Sequence, residues 1–274
     1  MNILELNEKN APLIYWRNDD QLSKLINVFV EDYDIRFVGG CVRDSMLDKK
    51  LKDIDFAINC MPEETIKILV KNNIEYLDYG IDFGTVTALM GEQKYEITSL
   101  RKDVDTNGRF PEVEFTGSWE EDALRRDFTI NSIYVSMNGE IFDLNNGVED
   151  LKKNKLRFIG DAEKRIKEDF LRIMRFYRFL GLFAEPKYEI EQFQLIEKYF
   201  LEMHDNVSKN KIKKELIKMS YVEFPQNSFL LISEKGDSNK KNLINNLENY
   251  WKKINYIDGM NIIKKYKLKY IERM

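Results

Sequence analysis

Asp53 and Asp55 are the first residues of this chain whose type and spacing could carry out chemistry. Ile54, Phe56 and Ile58 alternate with them, which is the periodicity of a strand with one apolar face. The two carboxylates would then project from the same face, roughly 7 Å apart at Cα. Such a pair suits Mg²⁺, which prefers oxygen ligands and also binds substrate phosphates. The alternative is two exposed acids on the solvent face of an amphipathic strand.

A glycine pair lies just upstream, in the segment Gly39-Gly40-Cys41-Val42-Arg43-Asp44 between a predicted strand and a predicted helix. Glycine lets backbone N–H groups approach a phosphate, and the start of a helix favours an anion. Arg43 can add charge-assisted hydrogen bonds to phosphate oxygens. The segment could also be a tight turn and nothing more. Its position next to the aspartates predicts a phosphate site beside a metal site.

Two further groups of charges could contact a nucleotide. Arg125 and Arg126 could clamp a triphosphate, and Asp127 could accept a hydrogen bond from a ribose hydroxyl. A surface cluster of ion pairs is the alternative. Asp169 and Arg172 are three residues apart on a predicted helix, so they would lie side by side.

Asp169 accepts and Arg172 donates, so together they could read the Watson–Crick edge of a base. An exposed ion pair, which would contribute little to stability, is the alternative. Arg175 and Arg178 continue the series at steps of three and could reach phosphate, or cover the helix surface with their stems. Of these two, Arg175 is the stronger candidate.

The elements that must position these residues follow from hydrophobic periodicity and turn residues. Helices are predicted over 20–31, 41–47 and 62–72, and strands over 35–38, 53–58, 74–77, 85–90, 94–100, 112–115, 131–136 and 140–144. From 161 to 219 the pattern predicts consecutive helices without strands, with Ser208 capping a helix over 209–219. The fold class is therefore α+β, with a mixed head followed by a helical remainder.

Charge divides the chain in the same place. Residues 1–150 hold 16 Lys and Arg against 30 Asp and Glu, whereas residues 151–274 hold 27 against 17. A basic half beside an acidic half indicates a polyanionic partner, since Lys and Arg that neutralise phosphates provide most RNA affinity. Solvated helix faces are the alternative for any single basic run.

Composition also excludes several classes of protein. No run of about 18 apolar residues could span a membrane, and Glu5 and Glu8 do not fit a signal peptide. Cys41 and Cys60 cannot form a disulfide framework, so a reducing cytoplasm is expected. The single histidine, His204, rules out a multi-histidine zinc site and is expected to have an ordinary surface or packing role.

The order of these motifs resembles the class II branch of the polymerase-β-type nucleotidyltransferases, which holds CCA-adding enzymes and bacterial poly(A) polymerases. The likeness begins with the glycine segment and the Asp53-Ile54-Asp55 pair and covers about residues 34–180. Its further motifs, in the order of the branch, are Phe83-Gly84-Thr85-Val86, Glu96-Ile97-Thr98-Ser99-Leu100-Arg101, Arg125-Arg126-Asp127-Phe128-Thr129-Ile130-Asn131-Ser132, Asp143 to Gly147, and Glu168-Asp169-Phe170-Leu171-Arg172.

The resemblance implies a polymerase-β-type nucleotidyltransferase head over 1–142, a helical neck with the base-selecting helix over 143–200, and a reduced helical body and tail over 201–274 that would bind tRNA. It implies Mg²⁺ on Asp53 and Asp55, with Glu96 as a possible third catalytic carboxylate. Asp169 and Arg172 would accept CTP and ATP and reject GTP and UTP. The residues 101–111 would form a mobile loop that helps to switch between them. The remaining implied nucleotide-binding residues are Gly39, Gly40, Arg43, Asp44, Arg125, Arg126, Asp127, Asn131, Arg175 and Arg178.

The implied activity is the template-independent addition of C, C and A to the 3′ end of tRNA, with release of pyrophosphate. The partners are then tRNA, CTP and ATP, with no membrane and no stable protein partner inferred. Addition of poly(A), and addition of the two cytidines alone, remain alternatives, because head and neck motifs are shared among these enzymes. A non-catalytic RNA-binding protein is a remote alternative, since such a protein would be expected to lose the aspartates or the base-selecting pair.

Overall fold

The structure is a computed structural model that describes residues 19–51, 53–104 and 113–228, without the side chain of His204. The chain divides into two compact units, Met1–Lys152 and Lys153–Met274. Within the described ranges, no helix has the length and apolar character needed to cross a membrane.

The first unit is built on a sheet of seven strands in the order β3-β4-β5-β2-β1-β8-β9. Neighbouring strands are antiparallel, except that β2 and β5 are parallel. Strands β6 and β7 form a separate antiparallel pair. The strands are β1 (Ile35–Val38), β2 (Ile54–Ile58), β3 (Glu75–Gly80), β4 (Thr85–Met90), β5 (Gln93–Ser99), β6 (Arg101–Asp103), β7 (Val113–Phe115), β8 (Ile133–Ser136) and β9 (Ile141–Asp143).

The helices of this unit are α1 (Asp20–Asn27), α2 (Gly40–Met46), α3 (Pro62–Lys71), α4 (Trp119–Arg125) and α5 (Gly147–Lys152), with short 3₁₀ turns at Ile81–Phe83 and Thr129–Asn131. Asp19 caps α1 by accepting from the amides of Gln21 and Leu22, both at 3.0 Å. Pro62 opens α3, where its missing N–H leaves no bond unmade. Aromatic side chains of neighbouring strands pack together, with the rings of Phe37 on β1 and Phe56 on β2 4.9 Å apart.

The second unit holds α6 (Ala162–Glu168), α7 (Leu171–Leu180), α8 (Ile190–Asn206) and α9 (Lys209–Met219), with the parallel two-residue strands β10 (Lys155–Leu156) and β11 (Lys187–Tyr188). Ser208 caps α9 by accepting from the Lys211 amide at 3.4 Å, as predicted. Its core is packed with aromatic rings, among which Phe158 and Phe176 stack at 5.9 Å.

The α+β class is confirmed, and three local predictions are wrong. The first helix ends at Asn27 instead of residue 31, because the chain tightens into turns that bury Phe29. Residues 101–103, predicted as loop, form β6, because they pair with β7; residues 105–111 of that loop lie outside the described residues. The segment after 161 is not purely helical, because Lys187–Tyr188 pairs with β10.

Candidate active site

The two parallel strands of the sheet bring the acidic residues together. Asp55 lies on β2 directly opposite Glu96 on β5, and Asp53 lies one residue before β2 begins. Asp55 is half-buried, whereas Asp53 and Glu96 are exposed. Three carboxyl groups from two separate stretches of the chain therefore lie on or next to one pair of neighbouring strands.

The charges of these carboxyl groups act on one another. Burial raises the pKa of Asp55 to about 6, with further contributions from the negative charges of Glu96 and Asp53. The cations Arg126 and Arg43 act in the opposite direction. A divalent cation would offset this repulsion, and oxygen ligands are the donor set that a hard cation takes.

The carboxylates therefore fit a hard metal ion that is also bound by phosphate groups of the substrate. In the part of the chain that the structure describes, no three acidic, Cys or His side chains converge as a ready-made metal site. Two carboxylates are sufficient where substrate phosphates complete the coordination, as is usual for Mg²⁺.

The glycine turn lies next to this acidic group in the fold. Gly39 has a positive φ of 73° and caps α2, a conformation that glycine adopts without the steric cost of a Cβ. A Cβ on Gly39 would lie 3.7 Å from Nη1 of Arg126 and 3.9 Å from the carbonyl oxygen of Asn131. The turn thus faces two residues of the Arg125–Ser132 motif, which is predicted to bind nucleotide.

A chain of hydrogen bonds joins four of the predicted residues. Arg43 donates from Nη1 to Oδ1 of Asn131 at 2.6 Å and from Nε to Oδ1 of Asp44 at 2.8 Å. Asn131 in turn donates from Nδ2 to Oδ1 of Asp127 at 3.0 Å. Arg43, Asn131 and Asp127 are all buried. The glycine segment and the Arg125–Ser132 motif are therefore one connected polar network.

Arg125 and Arg126 share a partner that the sequence analysis missed, the fully buried Asp122. Arg125 bonds one oxygen of this carboxylate, at 2.7 and 2.9 Å, and Arg126 bonds the other, at 3.0 and 3.2 Å. The alternative of a surface ion-pair cluster is wrong, because the shared acid is inside the unit. Spacings of three and four residues on one helix were the available signal.

In the second unit, the prediction that Asp169 and Arg172 lie on one helix is wrong. Asp169 follows α6 with extended backbone, and its Oδ1 accepts from the amide of Leu171 at 3.0 Å, whereas Arg172 lies in the first turn of α7. The two helices are separate here: α7 begins after its cap residue Phe170, and the Asp169 carboxylate accepts from the first amide of α7. Arg172 is buried and donates to Oε2 of Glu168 at 2.9 Å.

The next two arginines of α7 differ in their surroundings. Arg178 donates from Nε to Oε2 of the buried Glu215 at 2.6 Å and lies 4.1 Å from the ring centre of Phe179. Arg175 lies 5.2 Å from the same ring. Arg178 is thus part of the packing between α7 and α9, whatever else it contacts.

Comparisons with known proteins agree with this arrangement. A model of the poly A polymerase head domain matches residues 35–157. The human mitochondrial CCA tRNA nucleotidyltransferase 1 is 46% identical over 162 residues, covering 58% of this chain and 37% of the relative. The CCA-adding enzyme of Lactobacillus helveticus is 40% identical over 192 residues, covering 68% of this chain and 46% of the relative.

Solved structures give the same result. The CCA-adding enzyme of Bacillus stearothermophilus in complex with CTP is 30% identical, with a TM-score of 0.69, over 79% of this chain and 53% of that one. A tRNA nucleotidyltransferase with a primer tRNA and an incoming ATP analog is 25% identical, with a TM-score of 0.61, over 75% of this chain and 58% of that one.

The chain spans less than half the length of these two curated relatives. The matched part contains the acidic group, the glycine turn and the arginines around Asp122. Polymerase-β-type nucleotidyltransferases depend in general on divalent metal ions, which agrees with the oxygen donors found here. Residues 35–157 therefore match a poly A polymerase head domain, and the chain is similar to CCA-adding enzymes over the matched part.

Proposed function

We propose that this chain adds C, C and A to the 3′ end of tRNA, using CTP and ATP and releasing pyrophosphate. The observation that carries the proposal is the placement of Asp55 and Glu96 on neighbouring strands, with Asp53, the Gly39 turn and two arginines around them. In this proposal the arrangement would put a place for a metal ion beside a place for phosphates. The named relatives act on tRNA.

In this proposal Asp53 and Asp55 hold Mg²⁺, and Glu96 supports them as a third acid. When bound, the ion neutralises charge on the triphosphate and lowers the pKa of the attacking hydroxyl. Asp55 lies on β2, a strand inside the seven-stranded sheet, so its backbone position is set before substrate arrives.

The polar network around the glycine turn would bind the rest of the nucleotide. The Gly39-Gly40 backbone and the side chains of Arg43 and Arg126 would contact phosphate oxygens. Asp127, held by Asn131, would accept a hydrogen bond from a ribose hydroxyl. Because these side chains are already bonded to one another, little conformational entropy is lost when the nucleotide binds.

Base choice is assigned to Asp169 and Arg172, as the resemblance implies. Glu168 holds the Arg172 guanidinium at 2.9 Å, so the direction of its donors is set by α6. Arg175 is the next candidate for contact with phosphate or RNA. Arg178 already donates its Nε to Glu215, so it could contact phosphate or RNA only through its other nitrogens while that bond is kept.

The division of labour along the chain is also proposed. Residues 1–142 would form the catalytic head, 143–200 the neck that selects the base, and 201–274 the region that binds tRNA. The cytoplasm remains the compartment predicted from the sequence, although the human relative is named mitochondrial.

Addition of poly(A) is the second candidate, because the head domain that residues 35–157 match is that of poly A polymerase. The decisive experiment incubates the protein with tRNA that lacks its last three nucleotides and supplies CTP, ATP or both. Two cytidines from CTP alone, and one further adenosine when both are present, are expected. Long adenosine tracts would identify a poly(A) polymerase. Two cytidines without adenosine, even when both CTP and ATP are present, would identify a CC-adding enzyme, and no extension would contradict the proposal.

A further inference from the structure

Asp122 bonds two arginines, each through a separate oxygen. It lies on α4, four residues after the cap Ser118, and its side chain is 1% exposed. A carboxylate in such a place is costly unless its charge is compensated. Here burial opposes ionisation, but the guanidinium groups of Arg126 and Arg125 outweigh it and hold the pKa of Asp122 far below its usual range.

The bonds of Asp122 divide cleanly between its two oxygens. Oδ1 accepts from Nε and Nη2 of Arg125 at 2.9 and 2.7 Å. Oδ2 accepts from Nε and Nη2 of Arg126 at 3.2 and 3.0 Å, and from the hydroxyl of Tyr134 at 2.7 Å. The Tyr134 hydroxyl also accepts from Nε of Arg126 at 3.0 Å. Each guanidinium is therefore held along one edge.

Holding Arg126 by Nε and Nη2 fixes where its third nitrogen points. Nη1 is the atom that would lie 3.7 Å from a Cβ on Gly39, so the remaining edge of this guanidinium faces the glycine turn. A guanidinium is planar, and fixing two of its nitrogens fixes the third. Without the bonds to Asp122, the side chain would have several rotamers from which to choose.

The surrounding packing holds Asp122 itself in place. The Tyr134 ring makes an edge contact with Trp119 at 5.2 Å, and Trp119 lies against the guanidinium of Arg36 at 3.8 Å. Helix α4 is thereby fixed to β1 and β8 through side chains that do not reach the acidic group. The Asp122 carboxylate is therefore buried beneath these contacts.

We propose that Asp122 is a positioning residue that aims Arg126 at the triphosphate of the incoming nucleotide. This inference rests on the proposed function, because it takes the glycine turn to be the phosphate site. Asp122 touches no substrate in this account. It acts through Arg126, and Tyr134 braces the same contact from the other side.

The test is equilibrium binding of CTP and of CMP to the full chain, for the wild type and for Asp122→Asn. Asparagine keeps the shape but removes the charge and turns an N–H group toward one arginine. We expect the dissociation constant for CTP to rise by roughly ten-fold or more, the size associated with a charge-assisted contact. The constant for CMP should change by less than about three-fold, because it lacks the distal phosphates.

Two further variants make the result specific. Tyr134→Phe removes only the brace and should weaken CTP binding in the same direction by a smaller factor. Asp150→Asn removes another buried carboxylate of the first unit, which accepts from the hydroxyl of Thr129 at 2.6 Å. This control should leave the ratio of CTP to CMP affinity unchanged, even if it lowers the melting temperature as much as Asp122→Asn does.

An Asp122→Asn variant that binds CTP as tightly as the wild type would overturn the inference. So would a variant that loses CTP and CMP binding to the same extent, if Asp150→Asn shows the same losses. If Asp122→Asn does not fold, an unchanged affinity ratio in Tyr134→Phe would overturn it. The measurement is binding and needs no turnover. A wild-type chain that binds CTP but extends no tRNA would therefore contradict the proposed function and leave the role of Asp122 to be decided by the variants.

Discussion

Asp55 and Glu96 lie directly opposite each other on β2 and β5, the parallel pair of the seven-stranded sheet. Like charges in directly opposed positions destabilise a sheet. A pair of acids in this place is thus a cost to the apo fold, and the nearby Asp53 adds to it. Such a cost is expected where a cation is bound.

The first prediction follows from that repulsion. At pH 8 the carboxyl of Asp55 is ionised, since its pKa is about 6. Asp55→Asn should then raise the melting temperature of the protein in EDTA by a few degrees, because one of the interacting charges is gone. Mg²⁺ should raise the melting temperature of the wild type and have little effect on the variant.

Thermal unfolding in EDTA and in Mg²⁺ measures both effects. Asp78→Asn, which removes an exposed acid from β3, is the matched control and should respond to Mg²⁺ as the wild type does. A variant that is less stable than the wild type in EDTA would show that Asp55 is not under electrostatic strain.

Gly147 gives a prediction about packing. A Cβ at this position would lie 2.2 Å from the carbonyl oxygen of Thr129, a backbone atom that cannot move aside cheaply. Gly147→Ala should therefore lower the free energy of unfolding by about 1–3 kcal/mol or more, the usual cost of overpacking. Denaturation in urea measures it. Gly117→Ala is the control, because a Cβ there would meet nothing within 4 Å; equal effects of the two substitutions would contradict the packing assigned to Gly147.

The buried ion pair of the second unit supports a third prediction. Glu215 is 4% exposed at its side chain and bonds Arg178 at 2.6 Å. Glu215→Gln leaves the arginine charge buried without its counterion, so we expect a loss of roughly 3 kcal/mol of stability. Glu163→Gln, which alters a half-buried acid paired with Lys198, should cost less.

The same pair predicts a pH dependence. Although burial raises it, the charge of Arg178 holds the pKa of Glu215 below its ordinary value. This contribution to stability is present above the unfolded-state pKa and is lost as the pH falls through the folded-state value. The stability difference between the wild type and Glu215→Gln should therefore shrink in acid; a constant difference from neutral to acid pH would contradict the assignment.

Much of this site could be predicted because its residues are grouped along the chain. The strand periodicity around Asp53 and Asp55 and the glycine pair upstream predicted two strands and a turn that the structure contains. The pairing of β2 with β5 could not be predicted, because strands separated by some 35 residues carry no local signal of their register.

Asp122 and the end of α6 show why one buried residue was not identified from the sequence and one helix was predicted wrongly. Asp122 stands among three acids, Glu120 to Asp122, and its burial depends on how α4 packs on the sheet. Glu168 and Asp169 read as one continuous helix with Arg172, since every residue there is a good helix former or neutral. At the break, Asp169 has extended backbone and its carboxylate accepts from the Leu171 amide, a local bond that competes with helical pairing.

A fourth prediction concerns base choice. Arg172→Ala should relax discrimination, so that GTP and UTP are incorporated at rates closer to those of CTP and ATP. Glu168→Gln should shift discrimination in the same direction by a smaller factor, because it loosens the guanidinium without removing it. Single-nucleotide incorporation with each triphosphate measures this. Unchanged rejection of GTP and UTP in Arg172→Ala would contradict the assignment of base selection to this residue.

The central claim is that the acids beside the glycine turn carry the reaction. The most direct measurement compares the wild type, Asp53→Asn, Asp55→Asn and the control Asp78→Asn in extending tRNA that lacks its 3′ end with CTP, ATP and Mg²⁺. Wild-type and control proteins should extend the tRNA, and each variant at 53 or 55 should lose more than about 1,000-fold in rate while keeping its fold. Extension by Asp53→Asn or Asp55→Asn at a rate near that of the wild type would contradict the account.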